Sequence, residues 1–173
     1  MKKTVFILTI LLLMCPMVHA QTITQISFII KKAIPEVENI AVIYPKHLKS
    51  KYISEARTAK LVSRKNITIY GVSRKSEIAS QVFNIRRLKN VVVIVMADNS
   101  RIKADEVKYI IDKLAPVSIP VVSNRDKDTL FGALLSVFLR DNLVEKHLNL
   151  IVASALNLNL TDAFLKECIV DVE

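Results

Sequence analysis

Short hydrogen-bonding and charged residues recur in this sequence directly after apolar runs, and these are the positions where chemistry could be done. Asp98-Asn99-Ser100 closes the run from Val91 to Ala97, and Tyr44 and Lys46 stand at the end of NIAVIY. Ser73 and Arg74 follow NITIYGV, while Ser123, Asn124, Arg125 and Asp126 end and follow VSIPVVS. Ser136 and Phe138 lie at the end of the last such run, GALLSVF. The set is suited to holding a small polar solute. A carboxylate such as Asp98 can take a ligand ammonium, and Arg125 or a helix amino terminus can take a carboxylate. The competing role for Asp98 and Ser100 is local, because both residue types cap helices.

Other chemistries are excluded by composition. Glycine occurs only at Gly71 and Gly132. A dinucleotide-binding fingerprint or a P-loop needs several closely spaced glycines so that backbone amides can approach phosphates, and neither can be built here. His47 and His147 lack any partner at metal-ligand spacing, so no metal site is expected. No Gly-x-Ser-x-Gly elbow occurs, and Cys168 sits near the carboxyl terminus, away from any histidine in sequence. The first strand exits into Tyr44-Pro45-Lys46-His47 rather than an acidic cluster, which argues against a receiver domain. The chain reads as a non-enzyme with no catalytic residues and no cofactor.

The elements that must position the polar exits follow from hydrophobic spacing. Val91–Ala97 holds five β-branched residues in seven and is too short for a core helix, so it fits a strand buried on both faces of a parallel sheet. Around it the sequence predicts strands at Asn39–Tyr44, Asn66–Val72, Val117–Ser123 and Gly132–Phe138. Helical spacing predicts a helix over Gln21–Ile34 (closed by Pro35), another over Ser50–Arg64 with Tyr52, Ala56 and Ala59 inward, and a third over Ser76–Leu88 with Ser76 as a cap. A helix after Ser100 would bury Val107, Ile110, Ile111 and Leu114, and Pro116 would stop it. Asp141–Leu156 reads as the last long helix, with Val144, Leu148, Ile151, Val152 and Ala155 inward and His147 packed beside them. Thr161-Asp162-Ala163-Phe164 suggests a further helical turn. Strands alternating with helices argue for a parallel sheet covered on both faces, a three-layer α/β/α domain in which the loops after the strands gather on one side.

Residues Met1–Ala20 carry a basic start (Lys2, Lys3), an apolar run (Val5–Met14) and a small-residue cleavage site ending in Val18-His19-Ala20. They are read as a secretory signal cleaved after Ala20, which places residues 21–173 in the periplasm or outside the cell as one domain. Cys15 raises a lipoprotein alternative, against which Leu13 and Met14 stand as large residues where small ones are required. Losing Lys2 and Lys3 lowers the formal net charge from +9 to +7. Such a balance favours acidic surfaces, while export argues against nucleic acid as a partner. Arg57, Lys60, Arg64, Lys65, Arg74, Lys75, Arg86, Arg87 and Lys89 fall mostly on predicted outer helix faces or loops, where a solvated surface or at most weak attraction to anionic lipid headgroups is expected. Cys168 alone remains after signal removal, so no internal disulfide can form.

The stretch from about Ile26 to Leu156 resembles the second lobe of ABC-transporter substrate-binding proteins with the type I periplasmic-binding-protein fold. Ala33-Ile34-Pro35-Glu36-Val37-Glu38-Asn39-Ile40-Ala41-Val42-Ile43-Tyr44 is similar to the helix, proline and strand that open that lobe. Asp98-Asn99-Ser100 is similar to its Asp-Asn-Thr exit, Ile119-Pro120-Val121-Val122-Ser123 to its Ile-Pro-Val-Phe segment, and Gly132-Ala133-Leu134-Leu135-Ser136-Val137 to its Gly-Ala-Leu-Ala-Ser-Val strand. Two departures accompany the match: the chain has room for that lobe alone, and Leu139-Arg140 stands where the family carries Tyr-Tyr. The resemblance implies a five-stranded parallel sheet in the flavodoxin-like order 2-1-3-4-5. It also implies that Asp98, Asn99, Ser123, Asn124 and Tyr44 contact a small, amino-acid-like solute. Two functions stay open on this reading. One is a periplasmic binding or sensing module, and the other is an envelope interaction protein that docks a partner or a second copy through the strand-end face.

Overall fold

The computed structural model describes residues 22–172, so the leader expected from the sequence, its expected cleavage site and Cys15 lie outside the described residues. β3 (Val91–Val95) is buried along its whole length. Its β-branched side chains suit a pleated surface covered on both faces. Because successive strand residues point to opposite faces, Val92 and Ile94 enter one core with Ile26 and Ile30 of α1 (Ile23–Ala33) and Tyr52 and Ala59 of α2 (Lys49–Ser63). Val91, Val93 and Val95 enter the other core with Ile78 and Ile85 of α3 (Lys75–Ile85) and Ile110 and Leu114 of α4 (Ala104–Leu114). Burying each such side chain is worth roughly 1.5–3 kcal/mol before chain entropy is counted. The result is the expected three-layer α/β/α arrangement.

The sheet has seven strands in the order β2-β1-β3-β4-β5-β6-β7. β1 (Asn39–Pro45) pairs in parallel with β2 (Asn66–Val72) on one side, Tyr44 opposite Gly71, and with β3 on the other, Ile43 opposite Val95. β4 (Val121–Ser123) continues the parallel sheet with Ser123 opposite Val95, and β5 (Leu135–Arg140) follows with Ser136 opposite Ser123. These five strands carry the order 2-1-3-4-5. Pro120 sits just before β4, so the ladder never needs the amide hydrogen it lacks, and Val117 lies in a 3-10 turn instead of the strand. Gly132 adopts φ +99 at the end of the 3-10 turn Asp128–Phe131, so β5 starts later than the apolar run GALLSVF suggests.

The remaining two strands correct the five-stranded expectation. Asp141–Leu156 is not one long helix. Asp141 and Asn142 take φ of 51 and 64, and the chain reverses there into β6 (Leu143–Asn149), antiparallel to β5. Consecutive left-handed residues form the hairpin turn that matches strand twist, and Asp and Asn tolerate it best after glycine. Only the end of the segment is helical, as α5 (Leu150–Ala155). The apolar positions that mimicked a helical stripe divide accordingly: Leu148 is buried, while Val144 and Ile151 are exposed. α6 (Asp162–Leu165) begins at the expected turn, where the Thr161 side chain accepts the Phe164 amide. It leads to β7 (Ile169–Val172), parallel to β6 at the sheet edge. Two expected caps also differ. Ser76 lies inside α3, and α4 starts after Lys103, whose amide donates to Glu106. Among the described residues no helix is long and apolar enough to cross a membrane.

Candidate functional site

The carboxyl ends of the parallel strands form a rim stitched together by side chains. At its β2 edge the close approach of Gly71 to Tyr44 joins the first two strands: a Cβ on Gly71 would lie 2.9 Å from the Tyr44 hydroxyl and 3.3 Å from Lys46 Cγ. From the loop after β1, His47 Nε2 stands 3.8 Å from Asp98 Oδ2 in the loop after β3. That loop is tied to the next by Asn124, which accepts the Ala97 amide at 2.7 Å and donates to the Ala97 carbonyl at 3.1 Å. An amide side chain can meet both backbone groups of one residue in this way, extending the ladder one step past the end of the strands. Finally Arg140, at the end of β5, donates to Asp126 in the loop after β4 at 2.9 Å and pairs with Glu145 of β6 at 3.1 Å. Asp98 and Asn124 therefore share one end of the sheet.

Each residue expected at the site has a definite place. Asp98 organises its own loop. Its Oδ1 accepts the amides of Ser100, Arg101 and Ile102 at 2.8–3.0 Å, and its Oδ2 accepts the Ser100 hydroxyl at 2.5 Å. Burial raises its pKa, but those hydrogen bonds to the charged form outweigh burial and hold it at about 2. Asn99, next to it, is exposed in the left-handed region at φ 60. Tyr44 is 3% exposed and stacks on Tyr52 with ring centroids 5.1 Å apart. Burial, with the Glu55 and Asp98 carboxylates nearby, pushes the Tyr52 hydroxyl up to about 12, so it stays neutral. Ser123 is fully buried and donates to Asp128 at 2.5 Å. Asn99 is thus exposed and Asp98 and Asn124 are half-buried, while Tyr44 and Ser123 are buried.

A second polar group, which the sequence did not signal, lies under the β5–β7 side of the rim. His147 of β6 bonds Asp171 of β7 through Nδ1 at 2.8 Å and Glu145 through Nε2 at 2.9 Å, and it stacks on Phe138. Thr129 donates to the other oxygen of Asp171, and Asn149 donates to the Thr129 carbonyl at 2.9 Å. Reading the segment as a helix hid this arrangement, because strand pairing alone brings residues 147 and 171 together. His47, Tyr52 and Arg140 were missed for a similar reason: each meets its partner across elements, at spacings no local pattern encodes. Among the described residues no cluster of His, Cys, Asp and Glu has the geometry to hold a metal ion. Cys168 is a free thiol, and burial pushes its pKa up to about 11, so it is a poor nucleophile.

Several cavities among the described residues lie elsewhere, including a shallow one of about 710 Å³ against Leu150, Ile151, Ser154 and Ala155 of α5. One of about 400 Å³, lined by Val37, Asn90, Val117 and Pro120, opens at the amino ends of the strands. Another, of about 310 Å³, lies between α1 and β6, lined by Phe28, Lys32, Val144 and Phe164. None of these cavities is lined by Asp98, Asn99, Ser123 or Asn124.

No protein-family model matches the chain, and no curated protein matches it in sequence. Solved structures do match its fold. A conserved domain protein from Vibrio cholerae superposes with a TM-score of 0.73 at 14% identity, over 86% of this chain and 59% of that one. An ABC domain from Streptococcus pneumonia, solved in complex with L-Trp, gives 0.71 at 16% identity, over 83% and 58%. A substrate binding protein with adhesive properties from Clostridium difficile, in its ligand-free open structure, gives 0.69 at 13% identity, over 88% and 60%. The chain thus has the α/β fold found in substrate-binding proteins and spans about three fifths of the length of these structures.

Proposed function

We propose that this chain is a non-enzymatic binding or sensing module, exported by its leader and folded as one domain over residues 21–173, that holds a small solute on the strand-end rim. The observation that carries the reading is the continuous series of contacts joining the loops after β1, β3, β4 and β5: His47 to Asp98, Asn124 to Ala97, Arg140 to Asp126. Loops held in register by side chains are pre-organised, and ligands of open α/β sheets bind at that end. In this reading Asn99 meets the solute, Asp98 and Asn124 position the loops, and the buried Tyr44 and Ser123 support them. A thermal-shift screen of the chain against amino acids, sugars and small anions tests it. A ligand at about 100 times its Kd should stabilise the protein by about 2.7 kcal/mol. A full panel without a shift contradicts it. Mass spectrometry of the exported protein should find an amino terminus at Gln21.

The exposed loop residues Asn99, Ser100 and Arg101 support a second reading, in which the face docks on an envelope partner or a second copy. A small solute on an uncovered surface stays largely wet and weakly held, whereas a protein partner would supply the cover. Sizing by scattering at rising concentration, with cross-linking in the native host, tests this. A monomer that captures nothing through the rim counts against it.

A further inference from the structure

The two helical layers differ in charge. Within their bounds α1 and α2 carry six cations and one carboxylate, whereas α3 and α4 carry three cations and four carboxylates. The single carboxylate, Glu55, is spent inside the layer: it accepts the Ile23 amide at 2.9 Å and lies 3.9 Å from Lys51. Contacts between the two helices hold their charges on one surface. Thr24 donates to the Glu55 carbonyl at 3.3 Å and Lys31 to the Val62 carbonyl at 3.3 Å, so α1 and α2 run side by side in the same direction. Ile26 and Ile30 of α1 and Tyr52, Ala56 and Ala59 of α2 face the core. Helical periodicity therefore turns Phe28 and Lys32 outward from α1 and Leu61 outward from α2, with Arg57 and Lys60 beside it. Lys32, Arg57, Lys60 and Arg64 are exposed, and none belongs to an ion pair among the described residues. Glu167, whose charge Lys32 also meets, is paired with Lys146. Large apolar side chains stand among these cations: Leu61 is 80% exposed, Phe28 43% and Val62 41%. On its other flank α1 borders the groove against β6, where Ile29 and Phe164 continue the apolar surface.

From this we infer that the α1–α2 layer is a membrane-docking face, which lies on a bilayer rich in anionic phospholipid. Lys32, Arg57, Lys60 and Arg64 meet the headgroups, and Phe28 and Leu61 enter the interface between headgroups and acyl chains. A surface that mixes unpaired cations with exposed large apolar side chains fits a lipid interface, where both kinds find partners at neighbouring depths. A soluble polyanion would satisfy the cations and leave Leu61 in water. The attraction exceeds what net charge alone gives, because the fold sorts charge by layer. The inference goes beyond solute binding and does not rest on it: the strand-end rim lies at an end of the sheet and not on this face, so docking leaves it in solution.

Co-sedimentation of the full chain with lipid vesicles tests the inference. Phosphatidylcholine vesicles containing about 30% phosphatidylglycerol should bind at least about tenfold more tightly than phosphatidylcholine alone at low salt, and added salt should shrink the difference. The pair Arg57→Gln with Lys60→Gln should weaken binding to the anionic vesicles by about tenfold or more. The pair Lys108→Gln with Lys113→Gln on α4 removes the same charge from the opposite layer and should leave binding within about twofold. Leu61→Ser should weaken it by about threefold at unchanged charge. Every substituted side chain is exposed, so the variants should melt with the parent. No preference for the anionic vesicles would overturn the inference. Equal weakening by both pairs would overturn it by showing general attraction to a basic chain. Undiminished binding of Leu61→Ser would overturn the bilayer as the occupant and point to a soluble polyanion instead.

Discussion

At the scale of single residues, Asp98 and Gly71 show how much of the rim rests on individual atoms. The Asp98 carboxyl titrates near 2 in the folded chain against an ordinary 3.8. A depressed folded value means that the ionised group contributes stability above the unfolded pKa, and that this contribution is lost as pH falls through the folded one. The gap corresponds to about 2 kcal/mol. Asp98→Asn should therefore lower stability at about pH 7 by that amount, and its melting temperature should depend less on pH than the parent's between about pH 4 and 2. A parent and variant that lose stability in parallel across that window would show that the carboxylate does not carry the loop. Gly71 acts by its missing side chain. Tyr44, the residue a Cβ would strike, is pinned by Tyr52 and cannot give way freely. Gly71→Ala should cost about 1–3 kcal/mol by denaturant unfolding. Adding Tyr44→Phe should recover part of that cost, since it removes the atom at 2.9 Å.

At the scale of elements, β6 and β7 are held to the sheet by a titratable link. Burial lowers the pKa of His147, but its hydrogen bonds and charge attraction to Glu145 and Asp171 outweigh burial and raise it above 6.5. A raised folded value means that the stabilisation is complete below the unfolded pKa and disappears as pH rises through the folded one. Amide exchange in β7 should accordingly quicken as pH rises from about 6 to 9, beyond the intrinsic rate increase. His147→Gln should exchange faster at about pH 6 and show less of this rise. The same elements explain the one substantial misreading of secondary structure. Val144, Leu148, Ile151 and Val152 sit at helical spacing. Val144 and Leu148 serve equally in a strand when β5 offers an edge on one side and β7 on the other, while Ile151 and Val152 stay helical in α5. Local spacing was satisfied by both conformations, and the pairing partner decided between them.

At the scale of the whole molecule, the two cores meet across β3, which makes it the strand with most to lose. Ile94 is fully buried between the sheet and the α1–α2 layer. Ile94→Ala should cost about 2–5 kcal/mol in denaturant unfolding, and circular dichroism and side-chain NMR signals should still be lost together. A cost under about 1 kcal/mol would mean that the packing around β3 is looser than its burial implies. The rim also belongs to this scale. It is an end of the sheet at which Asn99, Ser100 and Arg101 are exposed.

By itself the sequence determined the parallel α/β layers, the order of the first five strands through its family likeness, and the side of the sheet on which polar exits collect. Those features follow from hydrophobic period and burial, which are local and repeat many times along the chain. Only the tertiary structure decided that Asp98 spends its acceptors on its own loop, that Asn124 clamps Ala97 and that Ser123 is committed to Asp128. It alone turned the last predicted helix into β6 and brought His147 to Asp171. The physical reason is common to all of these: each depends on a partner distant in sequence or on competition for a hydrogen bond, and residue types in order specify neither until the chain has closed on itself.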